Sequence, residues 1–311
     1  MLTDVSSREA FHVLLLEHVL RRLGEQPPSA FVLKGGVNLR LYFGSPRYSQ
    51  DIDFDADLRL RDALRAAIRS GLQDPALQRQ FITLGGEGVR VPDGPNKDTD
   101  TTLRYKFGVI RSGGIDLATK IEVSFRPRPE LDIGTIDPAA PVRIAPYRTP
   151  ERASPAPHRR RRSSGAHSTD GTTPPELPPL LVPHYGRLPA LRQKIGALAG
   201  RTEVQARDIF DLTVLGAATL VPEDAVALRG ALAESTLREA QARTLEVPYE
   251  DYRDKVLDFL DAPDRDRFEA EHAWDGQCLV VHELVTRLLA LPVPGAEPDA
   301  PPPDEEDEPN A

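Results

Sequence analysis

The chain has 311 residues, a formal charge of −9 and a single cysteine. That length suits one large core or two smaller domains. No apolar run approaches the roughly 18 to 20 residues that span a bilayer, and one cysteine excludes an internal disulfide or a cysteine zinc cluster. Seven of the acids fall in residues 297–311, which hold no base, and without them the charge is about −2. The total therefore does not exclude a nucleotide or RNA substrate, for which local fields decide. The amino terminus shows no basic patch followed by a hydrophobic stretch and a cleavage site, and a cytoplasmic protein is expected.

Residues 7–24 set Ala10, Phe11, Leu14, Leu15, His18, Val19 and Leu23 at helical spacing and stop at Gly24, which predicts a packed first helix. AFVLK then reads as a short strand ended by Gly35 and Gly36, and VNLRLYF as an amphipathic helix closed by Gly44. DIDFDAD (51–57) alternates acids with apolar residues, the pattern of a half-buried strand with one face of carboxylates. Residues 58–73 read as helix, and QFITL (80–84), TTLRYKFGVI (101–110) and KIEVSF (120–125) as strands. Residues 127–183 hold thirteen prolines and the run Arg159 to Arg162. A segment of that composition buries too little apolar area to offset its ordering entropy, so a loose linker or insertion is predicted.

Helical patterns return over 188–220, 222–243, 249–261 and 276–290, the last carrying Cys278 as a predicted buried structural thiol. Beyond Pro292 the chain is a Pro/Asp/Glu tail. The expected fold is an α/β (α+β) amino-terminal domain with a mixed sheet, residues 1–126, then the linker 127–183, an all-helical domain 184–292 and the tail 293–311.

Asp51 and Asp53 are two apart on a strand, so their carboxylates share a face with Cα atoms roughly 6 to 7 Å apart. Such a pair suits magnesium, a hard cation that takes oxygen ligands from carboxylates and phosphates. A third acid on a neighbouring strand would complete a two-metal clamp for attack on phosphorus. Glu122, in the alternating KIEVSF strand, is the first candidate and Asp116 the second. Asp55 and Asp57 continue the same face toward the strand end. Gly35 and Gly36 leave backbone N–H groups open at a helix start, a place for phosphate oxygens, with Lys34 beside them. This is neither the phosphate loop of the ATPases nor a dinucleotide fingerprint. Arg40 and Arg47 flank the turn and the acidic strand, where either could meet a leaving pyrophosphate. Ser49 could touch a phosphate or satisfy a nearby backbone group.

KIGALAGRTEVQARDIFDLTVL, residues 194–215, reads as helix, turn and helix. Lys194 on its apolar helix can snorkel to water or reach a triphosphate across a cleft. Asp211, set among apolar neighbours, needs a partner such as an arginine.

Lys34-Gly35-Gly36, Asn38-Leu39-Arg40 and Arg47-Tyr48-Ser49-Gln50-Asp51-Ile52-Asp53-Phe54 together resemble the opening motif of the AbiEii/AbiGii nucleotidyl transferase toxin family, a branch of the polymerase-β-like nucleotidyltransferases. Lys194-Ile195-Gly196-Ala197-Leu198, Arg201 and Arg207-Asp208-Ile209-Phe210-Asp211-Leu212 resemble its second block. The resemblance implies a catalytic domain over 1–126 and a helical domain completing the cleft. It implies Asp51 and Asp53 as metal ligands, Lys194 as a phosphate contact, Arg207, Asp208 and Asp211 at the cleft, and an antitoxin encoded nearby as partner. The reaction it suggests is transfer of a nucleotidyl group from an NTP, with two magnesium ions held by Asp51, Asp53 and Glu122, to a hydroxyl at the 3′ end of tRNA. A protein or small-molecule acceptor is the alternative, as is an inactive fold retained for binding RNA or the antitoxin. Arg126, Arg128, Arg143, Arg148, Arg152 and Arg159 to Arg162 are candidates for a surface that contacts RNA phosphates.

Overall fold

The computed structural model describes residues 4–111, 113–127, 136–137 and 182–293. The predicted tail after Val293, nearly all of the predicted linker and every arginine proposed above for RNA except Arg126 lie outside them.

Helix α1 (Asp4–Leu23) buries the stripe that its spacing predicts, with Phe11 edge-on to Phe81 at 5.4 Å and to Phe107 at 5.6 Å. Strand β1 (Phe31–Lys34) leads directly into α2 (Gly35–Tyr42), and β2 (Ile52–Ala56) returns antiparallel to β1. Helices α3 (Arg61–Gln73) and α4 (Pro75–Thr83) pack with α1. They are followed by β3 (Gly86–Arg90), β4 (Lys97–Thr99), β5 (Thr102–Arg111) and β6 (Ile115–Ser124).

Beyond these come β7 (Ile136–Asp137) and β8 (His184–Tyr185), so the sheet runs β3-β5-β6-β2-β1-β8-β7, with β4 on β5. The β2–β6 and β1–β8 pairs are parallel and the rest antiparallel, which makes the sheet mixed, as expected. The two residues of β8 belong to the sheet although the sequence pattern groups them with the helical part.

QFITL is not a strand. Asp74 caps α4 by accepting from the Ala76 amide at 2.8 Å, and Pro75 occupies the first turn, where its missing N–H costs nothing. Leu77 and Phe81, four apart, are both buried, whereas Ile82 is 51% exposed. A short apolar run reads equally as strand or helix by composition, and the cap decides between them.

After β8 the described chain is helical, with α5 (Arg187–Gly200), α6 (Ala206–Val214), α7 (Pro222–Ala231), α8 (Glu234–Thr244), α9 (Tyr249–Lys255), α10 (Ala262–Phe268) and α11 (Glu271–Ala290). The single helix predicted over 222–243 is two, α10 falls where none is predicted, and α11 begins five residues before the predicted start. Their apolar faces form a second core around Phe210, Tyr252 and Trp274, with Tyr252 stacked on Trp274 at 4.4 Å. Cys278 is buried there, and burial pushes its thiol up to about 12, which suits a structural thiol. No helix among the described residues is long and apolar enough to cross a membrane.

Helix α2 joins the two cores, because Val37 packs into the sheet cluster and Leu39 into the helical one. A cleft of about 800 Å³ opens where they meet.

Replacing Phe81 with alanine is expected to lower unfolding free energy by about 3 to 5 kcal/mol and Leu77 by about 2 to 5. Ile82→Ala should change it by under about 0.5 kcal/mol. Urea titrations read these values, and equal costs at positions 81 and 83 with none at 77 would contradict the helix.

Candidate functional site

The carboxylates come from two adjacent strands. In β2 the apolar residues Ile52, Phe54 and Ala56 face the sheet core, so the intervening Asp53 and Asp55, with Asp51 just ahead, face the cleft. The parallel register sets Asp53 opposite Glu122, which also lines the cleft.

Cations interleave with these acids. Lys34 Nζ lies 2.5 Å from Asp55 Oδ1, and the Tyr185 hydroxyl donates to Asp55 Oδ2 at 2.8 Å. Arg104 Nε donates to Glu122 Oε2 at 2.5 Å. Lys120 Nζ stands 3.4 Å from Asp51 Oδ2 and 3.7 Å from Glu122 Oε2. The Asp53 side chain makes no hydrogen bond or ion pair among the described residues.

Burial raises the Asp53 carboxyl above its ordinary value. Lys120 opposes the rise, and the neighbouring charges of Asp51 and Glu122 reinforce it. Burial acts on Glu122 in the same sense, but the hydrogen bond from Arg104 and the charge of Lys120 outweigh it and hold that carboxyl low.

Two glycines bring the helix start onto this strand. Gly35 has φ +70, and a Cβ there would lie 2.9 Å from an Asp53 carboxylate oxygen. A Cβ on Gly36 would lie 2.6 Å from Ser49 Oγ and 3.2 Å from Arg47 Nη2. Any other residue would push the α2 terminus off the acids. No side chain caps α2, so its first N–H groups stand at the cleft without one.

The opposite wall comes from α5 and α6. Lys194 Nζ lies 2.9 Å from Asp208 Oδ1 and 2.6 Å from Asp211 Oδ2. Arg47, from the loop between α2 and β2, places Nη2 3.0 Å from both carboxylate oxygens of Asp211. Arg201 Nε lies 2.7 Å from Asp208 Oδ2. Both aspartates are fully buried. Burial works to lower the Lys194 ammonium, but Asp211 and Asp208 overcome it and hold the group above its ordinary value. Burial likewise works to raise Asp208, and Lys194 with Arg201 holds it low.

The structure thus gathers Lys34, Gly35, Gly36, Arg47, Ser49, Asp51, Asp53, Glu122, Lys194 and Arg207 around one cleft. The Arg207 side chain makes no hydrogen bond or ion pair among the described residues. Asp208 and Asp211 sit behind the wall, in contact with its cations. The Ser49 hydroxyl donates to the Asp51 carbonyl at 2.8 Å, the local backbone role.

Arg40 is not brought to the cleft. It pairs with Glu9 at 2.7 Å, donates to the Ser45 carbonyl and lies 3.9 Å over the Tyr48 ring, a full helical turn beyond Gly36 and the helix start. Asp116 is also elsewhere, on β6 opposite Ile110 and paired with Arg90 at 2.5 Å. Asp57 pairs with Arg59 at 3.1 Å.

Lys120, Arg104 and Tyr185 are members of this site that the sequence argument passes over, and Arg201 enters it only through the family resemblance, without a role. Lys120 was findable, since it shares strand parity with Glu122. Arg104 was findable too, since Gly113 and Gly114 between two alternating runs signal the hairpin that sets it opposite Glu122, whereas Tyr185 depends on a strand pairing that no local pattern announces.

Three carboxylates facing one space are the hard oxygen donors that magnesium takes. Among the described residues, however, no group of three or more such side chains is gathered closely enough to form a metal site. Lys120 lies between two of the three candidates.

A family model described as "Nucleotidyl transferase AbiEii toxin, Type IV TA system" matches residues 18–276. Among solved structures, MenT4, a nucleotidyltransferase toxin from Mycobacterium tuberculosis H37Rv, is similar with a TM-score of 0.53 at 16% identity, covering 91% of this chain and 84% of that one. JHP933 from Helicobacter pylori is similar with a TM-score of 0.50 at 18% identity, covering 90% and 92%. No curated protein matches the sequence.

Asp211→Ala leaves Arg47 and Lys194 short of a buried counter-charge and is expected to cost about 3 to 5 kcal/mol in unfolding free energy. Asp208 has a depressed folded value, so its contribution is complete above the unfolded value near pH 4 and is lost as pH falls toward the folded one. The stability gap between wild type and Asp208→Asn should therefore narrow in urea titrations taken from about pH 5 down to about pH 3.

Proposed function

The chain belongs to the AbiEii family of nucleotidyl transferase toxins, and on that premise we propose that it moves a nucleoside monophosphate from an NTP to the 3′-terminal hydroxyl of tRNA. It is therefore an enzyme, a nucleotidyltransferase with an NTP as substrate, and a type IV toxin whose counterpart is an antitoxin. In the proposed reaction the acceptor oxygen bonds to the α-phosphorus, the bond from that phosphorus to the α–β bridging oxygen breaks, and pyrophosphate leaves.

The observation that carries this reading is the cleft itself, with acids on one side, an uncapped helix start beside them and cations opposite. Asp51, Asp53 and Glu122 would hold magnesium, two ions in the full complement. Bound there, the metal neutralises the triphosphate and the attacking oxygen. The N–H groups of Gly35 and Gly36 orient phosphate oxygens, and Lys34 adds charge at the same end. Lys194 and Arg207 face the triphosphate from the helical side, and Arg47 supports them. Asp208 and Asp211 are positioning residues that fix the rotamers of Lys194, Arg201 and Arg47. An inactive fold kept for binding would have no need of unpaired Asp53 and Arg207 across one cleft.

The test incubates the full chain with magnesium, each radiolabelled NTP in turn, and total RNA or cell protein. Label should enter tRNA, and Asp53→Asn should reduce the rate by at least about 100-fold with the fold retained by circular dichroism. Label in protein alone would move the acceptor to the alternative class, and no transfer from any NTP would sink the reading.

A further inference from the structure

The face of the sheet that carries Asp53 and Glu122 continues outward past the cleft. In β5, Leu103, Tyr105, Phe107 and Val109 are buried, so strand alternation turns Arg104 and Lys106 to the opposite face. The β5–β6 register sets Arg104 opposite Glu122 and Lys106 opposite Lys120, and the β4–β5 register sets Lys97 opposite Arg104. Asp98, next to Lys97, points the other way and pairs with Arg61 and Arg65 of α3. Lys97, Arg104, Lys106 and Lys120 therefore occupy adjoining positions on one face, beginning beside Asp53.

Like charges directly opposite on paired strands are destabilising, yet Lys106 faces Lys120 and Lys97 faces Arg104. Lys97 and Lys106 are exposed, and their side chains make no hydrogen bond or ion pair among the described residues. Arg104 and Lys120 are answered by Glu122 and Asp51, which leaves the charges of Lys97 and Lys106 unanswered beside the reaction centre, where a polyanion lying across the face would meet them. We infer that this face binds the phosphate backbone of the RNA acceptor and leads its 3′ end to Asp53.

This inference rests on the tRNA reading above. A protein partner fits less well, because protein interfaces gather aromatic and methionine anchors at their centre. None of the exposed large apolar side chains among the described residues lies on this face, since Ile115 of β6 shares the parity of buried Leu117. The contacts are to phosphate, so they supply affinity and orientation and leave base sequence unread.

The experiment measures tRNA binding by the full chain in EDTA, where no transfer occurs, over a range of salt. Lys97→Glu with Lys106→Glu should weaken binding at least about tenfold and reduce the slope of log affinity against log salt by about 1.5. Arg69→Glu with Arg79→Glu makes the same change in charge at exposed positions on α3 and α4, outside this face, and should shift affinity less than about twofold. Equal effects from the two double variants would reduce the result to net charge and overturn the inference. So would loss of polyglutamate binding with tRNA binding intact, which would assign the face to an acidic protein. Wild-type label transfer to tRNA is scored in parallel. If transfer occurs while the first double variant binds tRNA normally, this inference fails and the tRNA reading stands. If label enters protein alone, both fail.

Discussion

The bidentate pair between Arg47 and Asp211 holds the cleft together. It runs from a loop of the sheet half to a helix of the other half, with both side chains nearly out of solvent. Taking two charges out of water costs several kcal/mol, which their attraction recovers only if the geometry is good and the remaining donors and acceptors are used. Here they are used. Arg47 also donates to the Tyr48 carbonyl, and Asp211 also takes Lys194, which shares Asp208, which takes Arg201. Such a network contributes little net stability over a packed apolar seam. What it contributes is a fixed register between the halves, because sliding either one leaves a buried charge unpaired.

The charges within the two walls do not cancel in the same sense. The helical side sets Arg47, Lys194 and Arg201 against Asp208 and Asp211, a surplus of one positive charge, to which unpaired Arg207 adds. The sheet side sets Asp51, Asp53, Asp55 and Glu122 against Lys34, Lys120 and Arg104, a surplus of one negative charge among these groups centred on unpaired Asp53, with exposed Arg126 also lining the cleft. Low-dielectric walls on either side of a cleft focus the field of such a separation. A metal-bound triphosphate has the matching polarity, cationic where the metal sits and anionic along the phosphates. The surpluses lie on elements tied together by Arg47 and Asp211, so complementarity to that ligand is built into the fold.

Much of this was legible locally. The alternation in DIDFDAD fixes which side chains of β2 leave the core, and the glycine pair fixes a sharp strand-to-helix turn ahead of it. The same alternation in KIEVSF picks out Glu122. What stayed hidden is whatever pairing decides. That Asp53 stands opposite Glu122 and that Tyr185 reaches Asp55 follow from strand order, because β2 pairs with β6 and β1 with β8, strands far apart in the chain. Arg40 misled for a related reason. Its charge and its nearness to Gly36 suggest the cleft, but the helix turns it toward Glu9 on α1. QFITL misled because five residues are too few to show a period, and the cap at Asp74 outweighs β-propensity.

Lys34 and Lys120 bear on why the acids can wait for a ligand. Carboxylates on neighbouring strand positions repel, and a protein that relied on metal to relieve that repulsion would be destabilised without it. Lys120 between Asp51 and Glu122, and Lys34 on Asp55, let the sheet fold with the acids charged. Both lysines are partly exposed and flexible, so their ion pairs are shallow and can be exchanged. Buried Lys194, held by two fully buried aspartates, cannot move in the same way. On the reading proposed above, the division is functional. With magnesium held by Asp51, Asp53 and Glu122, the lysines of the sheet would be free to meet phosphate, while the lysine of the helical wall stays where the triphosphate would be met.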